Sequence, residues 1–180
     1  AYERGSSLVG SQMCIRDSMN RSEKSDILSE GFKRLEELLD TQCSHYRRVE
    51  ELVAQQKDAL RVADVDSLSN ASNAERELLG AISRLDHRRV ELVEAIASEL
   101  GLKHSSQPTL SDLLEHSGPR RGRLVTIADE LRRLIAATRV ASSVVRTAAE
   151  SLARHMQGIV QSVEVGIGRT GIYGRTGRLV

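Results

Sequence analysis

One pattern of apolar residues dominates the sequence between Leu28 and Ala63. Core-compatible side chains recur there at alternating steps of four and three, at Leu28, Phe32, Leu35, Leu39, Gln42, Tyr46, Val49, Val53, Gln56, Leu60 and Ala63. Such steps keep side chains on one face of an α-helix, because 3.6 residues make a turn. At 1.5 Å per residue the stretch predicts a rod roughly 50 Å long. A rod of this kind is typical of a helical hairpin or coiled coil, which offers a surface rather than an enzyme pocket.

Two further apolar faces predict two more long helices. The first covers residues 66–100 and is followed by Gly101 and Leu102, which suit the left-handed residue and the apolar contact of a Schellman helix end. The other covers residues 120–165. Its face consists of Leu124, Ile127, Leu131, Leu134, Thr138, Ala141, Val145, Ala148, Leu152, Met156, Ile159 and Val163, widened by Val140, Val144 and Val160. A face this wide can contact two neighbours, or one neighbour and a partner protein.

Proline and glycine set the joints between these helices. Pro108 and the pair Gly118-Pro119 bound a short helix over 109–116, where Thr109 and Asp112 have the spacing of a capping box. Asp64 and Asp66 offer an N-cap for the second long helix, and the first is predicted to begin near Ser22 or Ser25. Short joints favour antiparallel neighbours. The sequence thus predicts an all-α fold, an elongated antiparallel bundle or coiled coil of three long helices (22–63, 66–100 and 120–165) plus one short helix.

The two ends of the chain differ from the helical part. Residues 7–18 read SLVGSQMCIRDS and resemble the translation of a transposase-type sequencing adapter, with Gln12 where the usual readout has Glu. We interpret residues 1–18 as a non-native or disordered extension, Met19 as the start, and 19–165 as one helical domain. Residues 166–180 read GIGRTGIYGRTGRLV. Glycine at that density opposes a helix, which predicts a flexible Gly/Arg-rich tail carrying Tyr173.

Composition narrows the class of function. From Lys103 onward the chain has twelve basic and six acidic residues, but these arginines are spread along a helix with few aromatic residues, which favours a solvated face over nucleic-acid binding. No run of 18 apolar residues predicts a membrane span, and no secretory leader pattern is present. Two cysteines do not make a disulfide framework. The expected compartment is the cytoplasm.

Catalytic and metal sites lack a supporting motif. The string G-x-G-x-x-G at residues 166–171 follows a predicted helix rather than a strand, so a dinucleotide site is not expected. His87 with Glu91 and Asp112 with His116 share helical faces, but no Glu-x-x-His occurs. Cys43 and the pair Ser142-Ser143 have no motif that would activate a nucleophile. We therefore expect neither an enzyme nor a metal or other cofactor.

The order of these elements resembles the FlgN family of flagellar export chaperones, over residues 26–178. The joint from Ala59-Leu60 to Asp64 and Leu68, the segment Thr109-Leu110 with Leu113-Leu114, the long last helix and the tail Tyr173–Arg178 carry the resemblance. One departure is that residues 138–142 lack the Asn-x-x-Asn pattern often found in the family.

The resemblance implies a cytosolic chaperone that binds the amphipathic C-terminal segments of hook–filament junction proteins and brings them to the flagellar type III export gate. A long helix can cover such a segment through anchors at i, i+3, i+4 and i+7. We assign client binding to one face of the last helix and its flank: Leu134, Val144, Val145, Leu152, Met156, Ile159 and Val160. The alternative, that these residues are core, stays open. Tyr173, an aromatic anchor among arginines, is assigned to the cytoplasmic domain of the gate.

A second class of function stays open. A coiled coil of this length could also be a homodimeric structural or signalling adaptor without an export role. That alternative predicts a narrow, continuous seam in all long helices, with neither the Pro-Thr short segment nor an aromatic tail. The sequence leaves both the client and the oligomeric state open, including a homodimer.

Overall fold

The structure is a computed structural model that describes residues 9–102 and 108–169, with side chains described over 24–102 and 108–164. Four α-helices occur in chain order: α1 (Val9–Arg61), α2 (Val65–Leu100), α3 (Leu110–Leu114) and α4 (Arg121–Arg169), with a 3-10 turn at Gly118–Arg120 before α4. Over these residues there is no strand. The predicted all-α fold of three long helices and one short helix is confirmed.

The predicted helix ends agree with the structure, except for the start of α1. α2, α3 and the start of α4 lie within two residues of their predicted bounds, and α4 continues about one turn past residue 165. α1, however, begins at Val9, so the start predicted near Ser22 is wrong. The stretch from Val9 to Ser22 has no proline, and Ser22 therefore lies inside a continuous helix instead of capping one.

The helices form two compact units. The first consists of Ala1–Val49 and Arg76–Ala136, and the second of Glu50–Glu75 and Ala137–Val180. In the first unit α1 and α4 run parallel, because four pairs share nearly one sequence offset: Glu36 with Arg120, Asp40 with Arg123, Cys43 with Ile127 and Arg47 with Glu130.

The core of the first unit is made of aliphatic side chains from all four helices. Leu35 and Leu39 of α1, Leu113 of α3 and Leu124 and Leu134 of α4 are at most 1% exposed. α2 adds Val93, Ile96 and Ala97 to the same cluster. α3, although only five residues long, thus places Leu113 in this core. Burying one such side chain contributes about 1.5–3 kcal/mol to stability.

Polar groups surround this core. The half-buried carboxylate of Glu36 accepts from Arg120 Nη1 at 2.9 Å and lies 3.2 Å from Arg123 Nε, and Arg123 also contacts Asp40 at 2.7 Å. A second pair joins Arg47 to Glu130. Ion pairs at the surface contribute little to stability individually. Their geometry nevertheless fits only one parallel register of α1 and α4.

Two helix ends show the same hydrogen-bonding pattern with different residues. At the end of α2, Leu102 N donates to Ala97 O at 3.0 Å, and Gly101 between them has φ +72°, so the predicted Schellman end is confirmed. At the end of α1, Asp64 N donates to Ala59 O at 2.9 Å, and the left-handed residue is Ala63, with φ +55°. An alanine there carries a backbone strain that glycine would avoid.

Two predicted caps are present. Asp64 caps α2, because its carboxylate accepts from Ser67 N at 3.0 Å and from the Ser67 hydroxyl at 2.6 Å. The Ser67 hydroxyl, and then the Ser67 amide, lower the pKa of the Asp64 carboxyl below 3.8. Before α3, Thr109 N donates to the carboxylate of Asp112 at 2.8 Å, as the capping-box spacing predicts.

Candidate binding surface

The apolar face of α4 changes its environment part-way along the helix. Leu124, Ile127, Leu131, Leu134 and Thr138 are buried, and Val145, at 7% exposure, is the last buried side chain described on α4. From Glu150 to Glu164 every residue is exposed. This run, which we call the free segment, has no buried side chain among the residues that the structure describes.

The free segment keeps the same apolar face as the buried part. Steps of four, three and four join Leu152, Met156, Ile159 and Val163, which continue the face of Leu134 and Val145. Their exposed fractions are 38%, 54%, 46% and 52%, and Val160 on the flank is 53% exposed. We call these five residues the stripe. Large aliphatic side chains in one row on a helix with no partner are the feature typical of a binding surface.

The end of α1 accounts for the exposure of the free segment. In the second unit Gln56 Nε2 donates to Glu75 Oε2 at 2.6 Å, and the Ser142 hydroxyl donates to Glu75 Oε1 at 3.2 Å. Gln56 and Ser142 therefore lie at one level on α1 and α4. Arg61, where α1 ends, comes five residues after Gln56, and Thr147 comes five residues after Ser142. Arg61 and Thr147 therefore also lie at one level. Beyond Thr147, α4 has no part of α1 beside it.

Two of the three charged residues of the free segment lie away from the stripe, and the third, Glu164, lies beside Val160 at its end. A rotation of 100° per residue places Glu150 and Arg154 on the opposite side of the helix, whereas Ala149 and Ala153 flank the apolar row. A shallow groove of about 480 Å³ runs along His155, Gly158, Ile159, Ser162 and Val163. Along Leu152, Met156 and Ile159 the surface can therefore bind an apolar helix face without burying an unpaired side-chain charge next to the row.

The structure divides the predicted client-binding residues into two groups. Leu134, fully buried, and Val145 are core residues, so for them the alternative interpretation holds and we remove them from the surface. Val144 (58% exposed) and the other four, Leu152, Met156, Ile159 and Val160, are exposed on α4. Val163 belongs with them but was not among the predicted site residues, although its spacing already placed it on the face. Tyr173 lies outside the described residues.

The cysteine and histidine residues weighed as nucleophiles or metal ligands lie in places that do not favour those roles. Burial raises the pKa of the Cys43 thiol, and the carboxylate of Glu130 raises it further. A thiol in that environment stays protonated and is a poor nucleophile. His87, Glu91, His116 and His155 are exposed. Over the described residues no three side chains among His, Cys, Asp and Glu are grouped so that they could hold a metal ion.

A family comparison agrees with this architecture. The family model described as FlgN protein matches residues 28–180. The chain belongs to the FlgN family. It is accordingly a member of a family of flagellar export chaperones rather than enzymes, as the resemblance implied. The match begins at Leu28, the first residue of the apolar pattern of α1, and includes α2, α3 and all of α4.

Other comparisons add no closer relative to this FlgN-family chain. Among curated proteins none matches it, and no solved structure does so either. In the described part of the chain, no helix is long and apolar enough to cross a membrane.

Proposed function

We propose that this protein binds the amphipathic C-terminal segment of a hook–filament junction protein on the free segment of α4 and delivers it to the flagellar export gate. The observation that carries the proposal is the stripe, an apolar row with no partner on a chaperone-family helix. We place the protein in the cytoplasm, where subunits await export.

The stripe and an amphipathic client helix have matching apolar rows. An amphipathic segment that waits for export exposes its own apolar row, and two such rows that pack together remove both from water. Leu152, Met156, Ile159 and Val163 supply the i, i+4, i+7 and i+11 anchors of a helix-on-helix contact.

Charged substitutions on the flank test client binding. Val144→Asp and Val160→Asp place a carboxylate beside the apolar row, and both positions are already exposed, so the fold should be retained. We expect the affinity for a synthetic peptide of the C-terminal segment of a junction protein to fall about tenfold or more. Gln161→Asp, the same charge on an exposed position on the side of the helix opposite the stripe, is the matched control. Unchanged affinity in both flank variants, measured by isothermal titration, would reject the surface.

Delivery is assigned to the tail. Tyr173 is the one aromatic residue after Tyr46 and lies among Arg169, Arg175 and Arg178. A tyrosine gives apolar area with few rotatable bonds, which suits an anchor in a partner's pocket. We expect Tyr173→Ala to weaken binding to the cytoplasmic domain of the export gate about tenfold or more while client affinity and stability stay unchanged. Wild-type gate affinity in this variant would remove Tyr173 from the proposal.

A further inference from the structure

The turn between α1 and α2 exposes two valines. Val62 and Val65 are 74% and 73% exposed, more than any other large apolar residue described in the chain. Turns of this kind are usually made of polar or small residues. Two β-branched aliphatic side chains on either side of a tight turn leave apolar surface in water. Covering them with a partner would be favourable, because it removes this surface from water.

The turn is held rigidly. Asp64 N donates to Ala59 O, and the Asp64 carboxylate caps α2 through both the amide and the hydroxyl of Ser67. The left-handed conformation of Ala63 fixes the direction of the chain between the valines. Because valine also has one dominant rotamer, a partner that contacts this turn orders little that is not already ordered.

The turn lies at the level where the free segment begins. Gln56 and Ser142 meet on the carboxylate of Glu75 in the second unit. Counting the same number of residues onward brings α1 to its end at Arg61 and α4 to Thr147, three residues before the exposed run starts at Glu150. A helix lying on the stripe therefore has the α1–α2 turn at one of its ends.

We infer that Val62 and Val65 form the end of the client-binding surface and contact the terminus of the client helix that lies along the stripe. The inference rests on the proposed function, because the occupant is the same amphipathic segment of the junction protein. The α4 face that continues from Val145 to Val163 contacts the side of the client helix, and Val62 and Val65 contact its end. The turn thereby fixes how far along α4 the client helix can move.

Three variants separate this inference from the proposed function. The double variant Val62→Ser/Val65→Ser removes the end contact. Met156→Ser removes a residue from the middle of the stripe. Ile27→Ser is the control, because Ile27 is an exposed apolar residue of the first unit. Each is titrated with the junction-protein peptide after circular dichroism confirms its helix content. We expect at least a fivefold loss of affinity in the first two and none in the control.

The outcomes are distinct. If Met156→Ser weakens binding and the double variant stays within twofold of wild type, the inference is wrong and the proposed function survives. If neither variant changes the affinity, the proposed function fails, and the inference falls with it. A photo-crosslinking residue at position 62 gives a second readout, and it should attach to a terminus of the peptide, whereas the same residue at position 27 should not. Attachment to the middle of the peptide would also overturn the inference.

Discussion

The two halves of α4 have the same apolar periodicity and opposite environments. In the first half, Leu124 and Leu134 are fully buried, and in the second half Met156 and Ile159 are about half exposed. The sequence of the helix is not what distinguishes them. The difference comes from the other helices, because α1 ends at Arg61 while α4 continues to Arg169.

An apolar row on a helix therefore has two meanings that its spacing cannot separate. Where another helix lies alongside, the row is core and contributes to folding. Where the neighbour ends, the same row is a surface that no other helix of the described residues buries. In this chain the length of α1 relative to α4 decides between the two.

The largest expected effect contrasts one residue from each half. Leu134→Ala should lower the free energy of unfolding by about 2–5 kcal/mol, because it leaves a cavity among fully buried side chains. Ile159→Ala should change it by less than about 0.5 kcal/mol, because the side chain is already exposed. Urea denaturation followed at 222 nm measures both. Equal losses in the two variants would mean that the second half is also core.

A smaller effect is expected at the helix ends of the two units. Gly101 and Ala63 occupy equivalent left-handed positions, at φ +72° and +55°. Ala63→Gly should stabilise the protein by about 1 kcal/mol and Gly101→Ala should destabilise it by a similar amount, since only glycine adopts this conformation without cost. Thermal unfolding of the two single variants tests the opposite signs. Destabilisation by Ala63→Gly would show that its methyl group makes a contact that matters more than the strain.

The smallest effect concerns the cap in the second unit. The pKa of Asp64 is lowered in the folded state, so its cap stabilises the fold fully above the unfolded pKa, and this contribution is lost as the pH falls through the folded pKa, below 3.8. The melting temperature of wild type should therefore exceed that of Asp64→Ala at pH 6, and the gap should narrow in acid. Asp64→Asn, a neutral cap, should show no such narrowing relative to Asp64→Ala. A gap that stays constant down to about pH 2.5 would contradict the cap's ionic character.

Much of the fold could be predicted from local patterns. The apolar faces located all three long helices, and Gly101 and Asp64 marked an end and a start, because helix faces and caps depend on residues close in sequence. The buried Gln42 and Gln56 were also placed on the core face of α1 by spacing alone. The start of α1 was missed because Ser22 has the features of a cap in a stretch where nothing forces the helix to end.

The candidate surface was only half predictable. Spacing put Leu134, Val145, Leu152, Met156 and Ile159 on one face, but whether a residue of that face is covered depends on where α1 and α2 turn, a long-range property. The parallel register of α1 and α4, fixed by contacts such as that of Cys43 with Ile127, is equally invisible in the sequence. For the same reason Val62 and Val65 read as ordinary residues next to a turn.

Hydrogen exchange along α4, with and without the junction-protein peptide, distinguishes a packed first half from a second half that binds the client. In the free protein the amides of Glu150–Glu164 should exchange far faster than those of Leu124–Leu134, because a helix without tertiary contacts opens readily. Addition of the peptide should slow exchange in Glu150–Glu164 and leave Leu124–Leu134 unchanged. Slow exchange throughout α4 in the free protein, or no slowing in Glu150–Glu164 when the peptide is bound, would contradict the account.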